Sequence, residues 1–175
     1  YDMGVAAMEA GDYKTALKGI KPLAVSGDAE AQYNLGEIYT RLDFVPQDYK
    51  EAIKWYKLAA DQGYAAAQYS LGYIYESGSG LPSDYKTAAV WYRLAAEQGH
   101  ASAQDSLGNM YENGKGVPVV ILIAHMWYNI AVANGFKGSE LSREWLERKM
   151  SPQTIEKAQA MARKCMESNY KECGY

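Results

Sequence analysis

Two Ser-x-x-Lys pairs, Ser83/Lys86 and Ser168/Lys171, are the spacings in this 175-residue chain that most resemble catalytic chemistry. One helical turn separates such residues, so the amine could take the hydroxyl proton during acyl transfer. With 11 Ser and 13 Lys, about one such pair arises by chance. The S-D-N and K-T-G elements that complete a site of this kind are absent. Gly114-Lys115-Gly116 lacks the longer spacing and the following Ser or Thr of a phosphate loop. Neither H-E-x-x-H nor G-x-S-x-G occurs. His100 and His125 show no ligand spacing to each other or to a cysteine, and read as surface or packing residues. The sequence therefore assigns no catalytic residue, no metal site and no cofactor. Cys165 and Cys173 leave two readings open: free thiols, or a disulfide closing a short loop in an oxidising compartment.

The formal net charge is -3 and the pI is near 5.5, with 18 Lys and Arg scattered singly. Such a surface does not attract nucleic acid or anionic lipid, which need a basic patch. The longest apolar run, Val117 to Ala124, has eight residues and includes Pro118. That is far short of the roughly 20 residues a membrane helix requires. The sequence starts at Tyr1, which reads as a processed or trimmed start from which any export signal is already gone. Sixteen Tyr against two Phe is an imbalance that composition alone does not explain.

Self-comparison explains it. Residues 31–66 match 67–102 at 20 of 36 positions without a gap. AQYNLGEIY, AQYSLGYIY and AQDSLGNMY begin at Ala31, Ala67 and Ala103. Trp55-Tyr56, Trp91-Tyr92 and Trp127-Tyr128 keep the same period, as do Gly63, Gly99 and Gly135. Asp12 to Ala16 recurs word for word at Asp84 to Ala88. Within a unit, Ala31, Leu35, Ile38 and Tyr39 share a helical face. Gly36 sits at its edge, where a missing side chain admits a neighbouring helix. Glycines such as Gly78 suit the left-handed cap that ends this first helix. A proline then precedes a second helix, with Ser83 or Asp84 as its N-terminal cap.

One such hairpin cannot bury both faces, so neighbours must stack. The fold class is all-α: a right-handed α-solenoid of antiparallel helix hairpins forming a single repeat domain over 1–175. Residues 1–30 are a partial first repeat, 31–66, 67–102 and 103–137 are full repeats, and 138–175 form a capping hairpin and tail. The Trp–Tyr pairs are core rather than a ligand box.

These motifs resemble Sel-one-like repeats, a tetratricopeptide-like family with a longer Gly-rich loop. The resemblance is carried by A-x-x-x-L-G-x-x-Y from Ala67 to Tyr75, G-x-G-x-P-x-D-Y from Gly78 to Tyr85, and W-Y-x-x-A-A-x-Q-G from Trp91 to Gly99. It covers about Gly11 to Gly135 and implies a non-enzymatic scaffold that binds proteins, or sometimes cell-wall or glycan ligands. Many bacterial members are exported, which implies a periplasmic or secreted location, with a cytoplasmic one left open. Some cysteine-rich relatives are linked to β-lactam binding, so the alternative is a cell-envelope ligand binder (peptidoglycan or β-lactam-like) or a weak hydrolase.

First-helix positions opposite the core face should line the concave groove. They are Tyr33, Glu37 and Thr40; Tyr69, Tyr73 and Glu76; and Asp105, Asn109 and Glu112. Three tyrosines and four carboxylates without a base suit a basic or polar peptide segment. The plainer reading is a solvated helix face. Two departures stand out. Leu42-Asp43-Phe44 replaces the glycine turn of later copies, so that loop should take another path. Val120, Leu122 and Ile123 occupy positions that are polar in earlier units. Either the C-terminal hairpin or a loop covers them, or they form a homodimer or partner surface.

Overall fold

The structure, a computed structural model, describes residues 2–41 and 48–174; the Leu42-Asp43-Phe44 turn lies outside the described residues. Among the described residues there are ten α-helices and no strand. They form two compact units, Tyr1–Ser83 and Asp84–Tyr175. The first holds α1 (Asp2–Glu9), α2 (Tyr13–Val25), α3 (Ala29–Thr40), α4 (Tyr49–Asp61) and α5 (Ala65–Ser77). The second holds α6 (Tyr85–Ala96), α7 (Ala101–Asn113), α8 (Ile121–Ala133), α9 (Ser139–Glu147) and α10 (Pro152–Glu167). The first helices begin at Ala29, Ala65 and Ala101, two residues ahead of the repeat boundaries read from the sequence.

Local chemistry sets the ends. Asp12, Asp48 and Asp84 cap α2, α4 and α6, each accepting from backbone N–H groups of the first turn. The cap of α6 is thus Asp84 and not Ser83. Hydrogen bonds from Thr15 and Thr87 hold the Asp12 and Asp84 carboxyls below the usual carboxylate range. Val120 stands at the same place before α8 and offers no side-chain bond. Gly78 and Gly114 end α5 and α7 in the left-handed conformation, at φ of 73° and 71°.

Packing follows the period. Leu35, Leu71 and Leu107 are fully buried, as are Tyr56, Tyr92 and Tyr128 apart from about one hundredth of their surface. Trp127 is also fully buried, whereas Trp55 and Trp91 are half-buried. A Cβ on Gly36 would stand 2.6 Å from the Tyr56 ring, and one on Gly108 would stand 2.8 Å from the Tyr128 ring. These glycines let a tyrosine lie directly on helix backbone. A buried glutamine repeats with them. Gln32, Gln68 and Gln104 donate to the carbonyls of Ala24, Ala60 and Ala96 at 3.1, 3.2 and 3.0 Å. Those carbonyls lie in the last turns of α2, α4 and α6, where intrahelical partners run out.

The C-terminal segment contributes α9 and α10, each of which packs on α8. Ser151 caps α10, with Pro152 at its first position. Cys165 and Cys173 are paired as a disulfide that fastens the tail back onto α10, the second of the two cysteine readings.

Candidate interaction site

In the first unit, α3 and α5 present four of their six predicted groove residues to one cleft. Glu37, Thr40, Tyr69 and Tyr73 line a space of about 260 Å³ together with Tyr49, Tyr56, Ser70 and Ile74. Tyr73 is 57% exposed, the most open of the predicted tyrosines. Tyr56 lies with its ring in the core and its hydroxyl at the cleft, donating to Glu37 Oε1 at 2.5 Å. Burial, and after it the Glu37 charge, drives the Tyr56 hydroxyl far above its usual range, so it remains a donor.

Tyr33 is half-buried beside this cleft rather than in its lining. Its ring centroid is 5.8 Å from that of Tyr56 and 5.3 Å from that of Tyr64. Burial, then Glu37, pushes the Tyr33 hydroxyl up to about 12. Glu76 is half-buried and does not belong to the lining.

The corresponding face of the second unit is engaged by its own chain. Asp105 accepts from the Ser139 hydroxyl of α9 at 2.5 Å. Burial raises the Asp105 carboxyl above its usual value, with the Ser139 bond opposing the shift. Glu112 accepts from the Tyr128 hydroxyl at 2.8 Å. Asn109 is half-buried, and its backbone carbonyl accepts from the Asn113 side chain. Glu112 also lines a separate space of about 550 Å³ with Trp145, Lys149, Ser151 and Thr154. His125, for which the sequence leaves surface and packing roles both open, is fully buried between α8 and α9. It bonds Glu147 through Nε2 at 2.9 Å and Asn129 through Nδ1 at 3.0 Å. His100 caps α7, its Nδ1 accepting from Ala103 N–H at 3.3 Å.

Val120, Leu122 and Ile123 are half-buried. They face a cleft whose other wall is Lys157, Met161 and Lys164 of α10 and the disulfide-held tail at Cys173. The Ser-x-x-Lys serines have little in common. Ser83 is exposed before the α6 cap, whereas Ser168 donates to the Cys165 carbonyl and accepts from Glu172 N–H in the tail turn.

Sequence reasoning missed three features: the glutamine series, the tyrosine–glutamate bonds and the hold of α9 on Asp105. The glutamines had a signal, because Gln32, Gln68 and Gln104 recur at the same position of each copy. No local signal marks the other two, whose partners lie 16 to 34 residues apart.

Helix hairpins repeated along the chain define an α-solenoid protein. The Sel1 repeat family model matches residues 29–64, 65–100 and 101–136, and the chain belongs to that family. The starts of these three matches coincide with those of α3, α5 and α7. A solved protective antigen of uropathogenic Escherichia coli, described as displaying an SLR fold, is similar at 34% identity and a TM-score of 0.83. That similarity covers 91% of this chain and 34% of the antigen, so the chain spans about a third of its length. A solved Sel1 repeat protein from Oxalobacter formigenes is similar at 36% identity and a TM-score of 0.67, covering 74% of this chain and 97% of that one. Comparison with curated proteins gives no match. The Sel1 repeat is generally a non-catalytic scaffold fold that mediates protein–protein interaction. Among the described residues, no helix is long and apolar enough to cross a membrane.

Proposed function

We propose that this chain is a protein-interaction scaffold whose first unit holds a polar or basic peptide segment of a partner on the α3–α5 face. The cleft joining Glu37, Thr40, Tyr69 and Tyr73 carries this reading, because side chains from two successive first helices, among them the equivalent positions Glu37 and Tyr73, converge on one space. Tyrosine offers contact area and a polar tip while losing little rotamer freedom, which is why interfaces favour it. Family membership supports the same class of function. The Cys165–Cys173 disulfide supports an oxidising compartment such as the periplasm or cell exterior.

The test is selection of a displayed random peptide library on the immobilised full chain. Enriched peptides should bind the wild-type chain and lose about tenfold or more on Tyr69→Ala/Tyr73→Ala, as expected when central aromatic anchors are truncated. Enriched peptides that bind the double variant equally well would overturn the reading.

A further inference from the structure

Resting on the peptide-binding reading above, we infer that the α3–α5 cleft seats one arginine side chain of the partner segment between tyrosine walls and the Glu37 carboxylate. Among the described residues, the lining contains four tyrosines (Tyr49, Tyr56, Tyr69 and Tyr73), one carboxylate and no lysine or arginine. A ring face carries negative potential and attracts a cation, with arginine the commoner partner. A planar guanidinium can stack on a tyrosine while its N–H fork still reaches a carboxylate. Lysine, a compact and strongly hydrated charge, gives up more water to enter such a space.

The carboxylate is prepared for this role. Tyr56 donates to Glu37 Oε1, fixing the headgroup from the core side. A carboxylate offers about four lone-pair sites, so the Tyr56 and Tyr33 hydroxyls beside it leave acceptor capacity for a guanidinium. The Tyr49 wall is set by backbone: Gly80 has φ of 75°, and a Cβ there would collide with the Tyr49 side chain. Elsewhere the chain seats its own cations on rings in this manner. Arg41 lies 5.6 Å from the Tyr13 centroid and Lys149 lies 4.1 Å from that of Trp145.

Titration of the full chain with Nα-acetyl-arginine amide, followed by NMR, tests the inference. Nα-acetyl-citrulline amide is the comparison, because it keeps the shape and removes the charge. The arginine amide should shift signals of Tyr69, Tyr73 and Glu37 saturably, and citrulline should bind about tenfold more weakly. Glu37→Gln keeps an acceptor for Tyr56, so it should preserve the thermal midpoint while weakening the arginine amide by a similar factor. Equal affinity for the two amides, shifts located elsewhere, or tighter binding of Nα-acetyl-lysine amide would overturn the assignment. Library peptides that occupy the cleft without a basic residue would sink this inference and leave the peptide reading standing. No cleft-dependent peptide at all would sink both.

Discussion

The first-helix faces of the two units occupy the same register of the repeat and end in different states. In the first unit, positions 69 and 73 are tyrosines that line a cleft, and Glu37 is turned toward it by the Tyr56 hydroxyl. In the second unit the positions equivalent to those tyrosines are Asp105 and Asn109. Asp105 is held by Ser139 of α9, and Leu146 of the same helix is buried. A half-buried carboxylate needs a donor, and α9 supplies one. Tyr73, more than half exposed, leaves its ring area open to the solvent side. One repeat position can therefore serve either recognition or closure, and the residue type distinguishes the two.

The contrast can be broken most forcefully at the core. Tyr56→Ala and Tyr128→Ala should each cost about 3–5 kcal/mol in urea unfolding, since each ring lies on a glycine backbone and fills the space between helices. Tyr73→Ala should change stability by no more than about 0.5 kcal/mol, as expected for an exposed side chain. A Tyr73→Ala loss as large as that of Tyr56→Ala would make the cleft a structural feature.

Closure of the second unit comes next in size. Ser139→Ala leaves the partly buried Asp105 without its donor and should cost about 1–3 kcal/mol. The pH dependence has a definite sign. Asp105 has a folded-state pKa above its unfolded value of roughly 3.9, so its proton-linked stabilisation is full below that pH. It is lost as pH rises through the folded value. Asp105→Asn should remove that slope from the stability–pH curve, and an unchanged slope would contradict the assignment.

A smaller effect separates the first-helix caps. Asp28 caps α3 with a carboxylate, and His100 caps α7 with a neutral imidazole whose pKa burial lowers. Its stabilisation is present above the unfolded value of roughly 6.5 and is lost as pH falls through the folded value. His100→Ala should cost about 1 kcal/mol at pH 8. His100→Asn should keep the cap and flatten the acid limb, as read by thermal unfolding across pH.

Much of this architecture is legible because it is local. The 36-residue period, the glycine caps and the aspartate caps depend on contacts within a turn of their own residue. The burial of Tyr56 and Tyr128 follows from the same periodicity. The sequence leaves the choice between Ser83 and Asp84 as the α6 cap open because both carry an acceptor, and it falls on Asp84, whose side chain accepts from Lys86 and Thr87 N–H. The groove positions followed from helix geometry, and four of them do share a cleft. What the pattern could not convey is which carboxylates the chain uses itself. Glu37 and Glu112 are bonded by tyrosines of the following helix, and Asp105 by a helix outside the repeat. Those partners depend on how helices meet, which no spacing within one helix encodes.

The most direct measurement is a map of backbone amide shifts in the full chain on addition of a library-selected peptide. Shifts concentrated in α3 and α5 around Glu37, Tyr69 and Tyr73, with α7 and α9 unmoved, are the predicted result. Shifts concentrated around Asp105, Glu112 and Trp145 instead would contradict the division of labour between the two units.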